Sequence, residues 1–169
     1  MQKRSAGLVM YRIVDGELEV LLAHPGGPRW KGKDLGIWSI PKGEIRPDED
    51  PLLTAIREFK EETGFEPKEP FIYLGRIVQK SGKLVDAWAF EGDADTSRSV
   101  SNTFTMEWPP NSGIKQEFPE IDRVEFFKVK DALLHINPAQ APLILELEKI
   151  LKDRLKKSGT ETVQQTNQK

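Results

Sequence analysis

The stretch Gly43–Phe65, GEIRPDEDPLLTAIREFKEETGF, constrains this chain more than any other. Within it Glu58, Glu61 and Glu62 stand at i, i+3 and i+4, so a helix through them carries its carboxylates on one face. Like charges packed that closely weaken an isolated helix. They make sense when a hard divalent cation sits among them, because Mg²⁺ prefers carboxylate oxygens and retained water.

The helix is bounded by its own residues. Asp50 is a good N-cap, Pro51 suits the first helical position and Gly64 suits a left-handed residue past the end, predicting a helix over 51–63. Leu52, Ala55, Ile56 and Phe59 form an apolar stripe away from much of the acid. One face would then enter a core while the other holds metal. The alternative is a solvated charged face, the usual meaning of a Glu-rich helix surface.

Read in full, Gly43-x5-Glu49-x7-Arg57-Glu58-Phe59-x-Glu61-Glu62-x-Gly64-Phe65 resembles the Nudix box, the signature of the Nudix hydrolase family. Seven fixed positions at about one in twenty each make a chance match on the order of one in a billion per register. Phe59 stands where the family usually carries a smaller aliphatic residue; being apolar, it bears on packing rather than chemistry. The resemblance implies an α+β fold, a Nudix-type α/β/α sandwich with a mixed β-sheet.

At 169 residues the chain is expected to form one domain, over 1–157, with a proper hydrophobic core. Net charge is −2 and no basic tract occurs, which argues against a DNA-binding groove or an anionic membrane surface. An anionic substrate would therefore need metal ions and a few local cations. With no cysteine there are no disulfides or thiolate metal sites, and His24 and His135 are too far apart in sequence to suggest zinc. No apolar run approaches a membrane span and the start lacks a full signal-peptide core, so the expected location is cytoplasmic.

Apolar runs at 5–14 and 17–23 flank Asp15-Gly16, a strong hairpin signal. A Gly/Pro loop with three cations follows over 24–33, then a short strand at 37–40. Residues 71–79 and 83–90 read as a second hairpin turning at Ser81-Gly82. From Gly92 to Pro119 the pattern lapses into a long polar segment, which in compact domains is usually functional or disordered. A strand at 122–129, a short helix at 130–136 and an amphipathic helix at 139–155 complete the expected elements, with a disordered tail from 158 to 169. Strands on both sides of one internal helix suggest a mixed sheet packed between helices.

Hydrolysing a diphosphate requires positioned water and cations that offset phosphate charge, and carboxylates holding Mg²⁺ supply both. Glu58 and Glu62, one turn apart, are the best metal ligands, with Glu61 close behind. The resemblance gives them the same role and adds a backbone carbonyl near Lys42 or Gly43; Mn²⁺ is the alternative ion. Arg57 can bind phosphate or pair with a carboxylate. The resemblance favours pairing with Glu49, which braces the loop against the helix. Lys42 in WSIPKGE, preceded by Trp38, is similar to the dinucleoside polyphosphate hydrolases and decapping enzymes of the family, and implies substrate contact. The resemblance also implies a general base at Glu120, six residues before Phe126, with Glu117 and Glu61 as competitors. Trp30 and Trp108 stand in loops, where an indole can stack on a nucleobase or fold its loop down, and Trp108 is expected to contact the substrate; Trp88 reads as core and His24 as a strand-end surface residue.

The expected function is Mg²⁺-dependent cleavage of a phosphoanhydride bond in a nucleoside diphosphate derivative, either a dinucleoside polyphosphate or a nucleoside triphosphate. The alternative is a catalytically silent Nudix domain that senses a nucleotide or docks a protein. The oligomeric state is not legible in the sequence.

Overall fold

The computed structural model describes residues 3–167, with side chains described as far as Lys157. Strands β1 (Arg4–Val14) and β2 (Glu17–Pro25) are joined through Asp15 and Gly16 at φ 52° and 79°, the two left-handed positions of a tight hairpin turn. The chain continues through β3 (Lys42–Glu44), α1 (Pro51–Thr63), β4 (Ile72–Val78), β5 (Leu84–Glu91), β6 (Thr103–Glu107), β7 (Lys115–Pro119), β8 (Ile121–Lys128), α2 (Val129–His135) and α3 (Ala141–Asn167). The main sheet has the order β4-β5-β1-β2-β8, and β3 pairs with β1. β1 and β5 run parallel and the other pairs antiparallel, so the sheet is mixed.

Both faces of β1 and β2 are buried, which explains their near-continuous apolar runs. Ala6, Leu8, Met10, Leu21 and Ala23 meet α1, where Phe59 is fully buried and edge-on to Phe90 at 5.2 Å. The aromatic ring at this position is thus absorbed as core. On the opposite face Val9, Tyr11, Val20 and Leu22 pack against Ala132 of α2 and Leu143, Ile144 and Leu147 of α3. The layers are α1, sheet, then α2 with α3, the α/β/α sandwich.

Three expectations change. Residues 37–40 form only isolated bridges, Ser39 with Ala23 and Trp38 with Ile136; the strand lies at Lys42–Glu44, because pairing with β1 selects it. The polar segment 92–119 contains the β6–β7 hairpin, paired from Thr103↔Pro119 to Glu107↔Lys115. Its alternation of Phe104 and Met106 with exposed Thr103, Thr105 and Glu107 is a strand pattern, short and polar on one face. Finally, α3 runs to Asn167, past 155 and into the segment expected to be disordered. Extending a formed helix needs no new nucleus, and Lys, Glu and Gln are good helix formers. Residues 168–169 of that tail lie outside the described residues.

Candidate active site

The site is built where β3 delivers the chain to α1. Asp50 caps the helix by accepting from the Leu53 N–H at 3.2 Å, and Gly64 ends it at φ 79°. Arg57, one face along, makes a bidentate pair with Glu49: Nε donates to Oε2 at 2.8 Å and Nη2 to Oε1 at 2.9 Å. Thr54 donates to the same carboxylate at 2.7 Å. These bonds, Arg57's first, hold the Glu49 carboxyl down at about 2. The loop before α1 is thereby tied to the helix, and Arg57 is committed as a brace. Its Nη1 also donates to Glu58 at 2.8 Å and to Glu61 at 3.3 Å, fixing the direction of both.

Glu58 lies against Gly43. A Cβ at Gly43 would fall well inside contact distance of the Glu58 carboxylate, so the missing side chain is the cradle in which that group sits. Glu62 accepts from the Lys42 N–H at 3.1 Å. Burial, with the charge of Glu58 added, pushes the Glu62 carboxyl up to about 8. Burial also raises Glu58, against the pull of Arg57. The Lys42 ammonium is lowered by burial and by Lys83, and drawn back by Glu62 and Glu58. A half-buried pair of carboxylates that repel one another is a poor resting arrangement without a cation.

As the side chains stand, no three carboxylate or imidazole groups among the described residues converge on one point. Glu58 is turned to Arg57 and Glu62 to the Lys42 N–H. The donor set nevertheless fits a hard divalent ion: it is all carboxylate oxygen, partly desolvated, and cradled at Gly43.

Glu120 is exposed just past β7, close enough that its charge contributes to raising Glu62. Backbone hydrogen bonds place it: Glu120 N–H to Asn102 O at 2.8 Å, and Asn102 N–H to Glu61 O at 2.7 Å. Glu117 is exposed in β7 opposite Thr105, away from this chain of bonds. The structure thus brings together Lys42, Glu49, Arg57, Glu58, Glu61, Glu62 and Glu120.

Trp38 does not join them. It is fully buried, donates from Nε1 to Asp34 at 2.9 Å and meets His24, Phe127 and His135 edge-on, so it is a packing residue and not a substrate contact. His24 is also buried rather than on the surface; its ring bridges Asp122 at 2.8 Å and the Lys33 carbonyl at 2.7 Å. Trp88 is half-buried, beside Tyr73, rather than wholly core. Trp108 lies beyond the end of β6, roughly 16 Å along the strand from Thr103. Sequence reasoning missed Gln140, a buried amide that accepts from the Ile40 N–H at 2.9 Å and steadies the segment leading into the site.

The NUDIX domain profile matches residues 1–147. The asymmetrical bis(5'-nucleosyl)-tetraphosphatase of Caenorhabditis elegans is 37% identical over 73 residues, 43% of this chain and 49% of that protein. The chain therefore spans about half the length of that relative. Among solved structures, a binary complex of a C. elegans Ap4A hydrolase superposes with TM-score 0.63 at 23% identity, covering 88% of this chain and 98% of the other. The NUDIX domain of Shewanella oneidensis NrtR, complexed with ADP ribose, superposes with TM-score 0.64 at 18% identity, covering 89% of each. At these identities the superpositions establish the fold.

Proposed function

This chain belongs to the Nudix family, and from that premise we propose that it hydrolyses a phosphoanhydride bond in a nucleoside diphosphate derivative, using Mg²⁺. The observation that carries the reading is the pair Glu58 and Glu62, half-buried, mutually repelling and cradled at Gly43. A binding module has no need to hold carboxylates at that cost. Similarity to a tetraphosphatase favours a dinucleoside polyphosphate, with a nucleoside triphosphate as the other leading substrate.

Glu58 and Glu62, with Glu61 beside them, would hold the ion, which when bound offsets phosphate charge and makes water more acidic. Arg57 keeps the carboxylates in register through its bonds to Glu49, Glu58 and Glu61. Lys42 presents its ammonium on the side of Glu62 and Glu58, where an additional phosphate oxygen can be met. Glu120, whose charge reaches Glu62, would take the proton as water adds to phosphorus and the P–O–P bridge breaks, leaving two phosphate-bearing products.

The test is a panel of dinucleoside polyphosphates and nucleoside triphosphates with Mg²⁺, with products separated and oxygen-labelled water traced into them. Label in one product, abolished by chelator, supports hydrolysis. Tight nucleotide binding with no turnover on any member would instead identify a sensor.

A further inference from the structure

A second recess of about 300 Å³ opens beside the site, its walls including Gly27, Arg29, Trp30, Phe104 and Met106. Phe104 and Met106 share one face of β6, and Trp30, on the loop after β2 with 38% of its surface exposed, lines the same recess. The loop is held in place. Trp30 N–H bonds to Gly27 O at 3.3 Å, Lys33 N–H to Trp30 O at 3.0 Å, and the His24 ring to the Lys33 carbonyl at 2.7 Å. Two glycines allow the walls to meet. At Gly26 a Cβ would collide with the Pro119 carbonyl, and at Gly27, φ 94°, it would lie 2.9 Å from the Phe104 ring. The recess is thus a built feature.

Its position ties it to the chemistry. The Gly26 N–H donates to the Glu120 carbonyl at 2.8 Å, and Glu120 leads through Asn102 to Glu61. Its volume is at the small end for ligand pockets, suited to a single flat heterocycle. Indole, phenyl and thioether walls are what such a ring stacks on. Arg29 is exposed at the rim with no ion-pair partner among the described residues.

We propose that this recess is the nucleobase subsite, the base stacking on Trp30 and Phe104 while the phosphates extend past Glu120 to the carboxylates. The proposal rests on the nucleotide reading above and identifies residues that recognise the base.

The experiment compares two non-hydrolysable probes by calorimetry: adenosine 5'-(α,β-methylene)diphosphate, whose one bridge is P–C–P, and methylenediphosphonate, which lacks a base. Trp30→Ala and Phe104→Ala should each weaken the nucleotide probe about five- to a hundredfold, the value of one base–aromatic stack. The diphosphonate should be unaffected. Trp30→Phe, which keeps a ring face on an exposed loop residue, should retain most of the affinity. Unchanged nucleotide affinity in both alanine variants, or equal weakening of both probes, would overturn the proposal. Turnover is read separately: base-dependent binding in a protein that cleaves no nucleotide would sink the catalytic reading and leave the subsite standing.

Discussion

Gly43→Ala tests the site with the smallest change the structure offers. The backbone at Gly43 is not in the left-handed region, so alanine is conformationally acceptable there. The added methyl meets one thing, the carboxylate end of Glu58, which would have to retreat by more than an ångström to reach the 3.4 Å of ordinary contact. The far end of a flexible side chain can make that move. Reduced freedom of the unfolded chain contributes about 0.4–1 kcal/mol in the other direction. Stability should therefore change by no more than about 1 kcal/mol, a Tm shift within about 4 °C.

Catalysis should respond quite differently. A misplacement of about 1 Å can cost about 10²-fold in rate, so kcat/KM on a dinucleoside tetraphosphate at saturating Mg²⁺ should fall by about that factor. If the loss runs through Glu58, the double variant with Glu58→Gln should be scarcely worse than Glu58→Gln alone. Turnover within about threefold of wild type, or full additivity of the two changes, would show that Gly43 does not act by cradling Glu58.

Glu58→Gln or Glu62→Gln should remove most activity, and the Glu62 change should raise the Tm of the metal-free protein by relieving carboxylate repulsion; near-normal turnover in either would remove the metal-ligand assignment. Arg57→Ala should lower Tm and kcat/KM together, because Glu49 loses its bidentate partner; normal melting with sharply weaker substrate binding would point to a direct phosphate role. The Glu49 carboxyl is depressed from its ordinary value to about 2, so its contribution is full above about pH 4.5 and is lost as pH falls toward 2. Acid titration of Tm should show a steeper fall in that window for wild type than for Glu49→Gln, and parallel curves would refute the pairing energy. Trp108→Ala should raise KM less than Trp30→Ala, given its place at the hairpin tip; the reverse order would move the base site outward along β6.

The parts of this protein legible in its sequence are those with local causes. The Asp50 cap, Pro51 and Gly64 bracket α1 because each acts within a turn of its own position. Asp15-Gly16 sets the first hairpin for the same reason. Spacing alone also places Glu58, Glu61 and Glu62 on one face of α1. What was not legible depends on partners far along the chain. Residues 37–40 are as apolar as a strand, yet 42–44 pair with β1 because Gly43 and Lys42 meet Ala6 and Gly7 there.

Trp38 and Trp30 show the same limit most sharply. Both follow glycine-rich loop residues, and nothing adjacent distinguishes them. Trp38 is buried because α2 and β8 bring His135 and Phe127 onto it, and Asp34 takes its N–H. Trp30 stays exposed because its loop folds back on itself and is clamped by His24. Of the two tryptophans chosen from sequence for the substrate, Trp38 became core and Trp108 lies past the end of β6, while Trp30, read as ambiguous, came to line one recess with Phe104. Phe104 reaches it only because the polar segment pairs as a hairpin whose base is pinned by Asn102 to Glu61. Backbone hydrogen bonds from Asn102 to Glu61 and from Val100 to Thr63, at the end of the carboxylate helix, thus help hold both the candidate base, Glu120, and the aromatic wall beside it. Changes at the hairpin base should accordingly disturb base recognition and proton transfer together, whereas changes at its tip should disturb neither strongly.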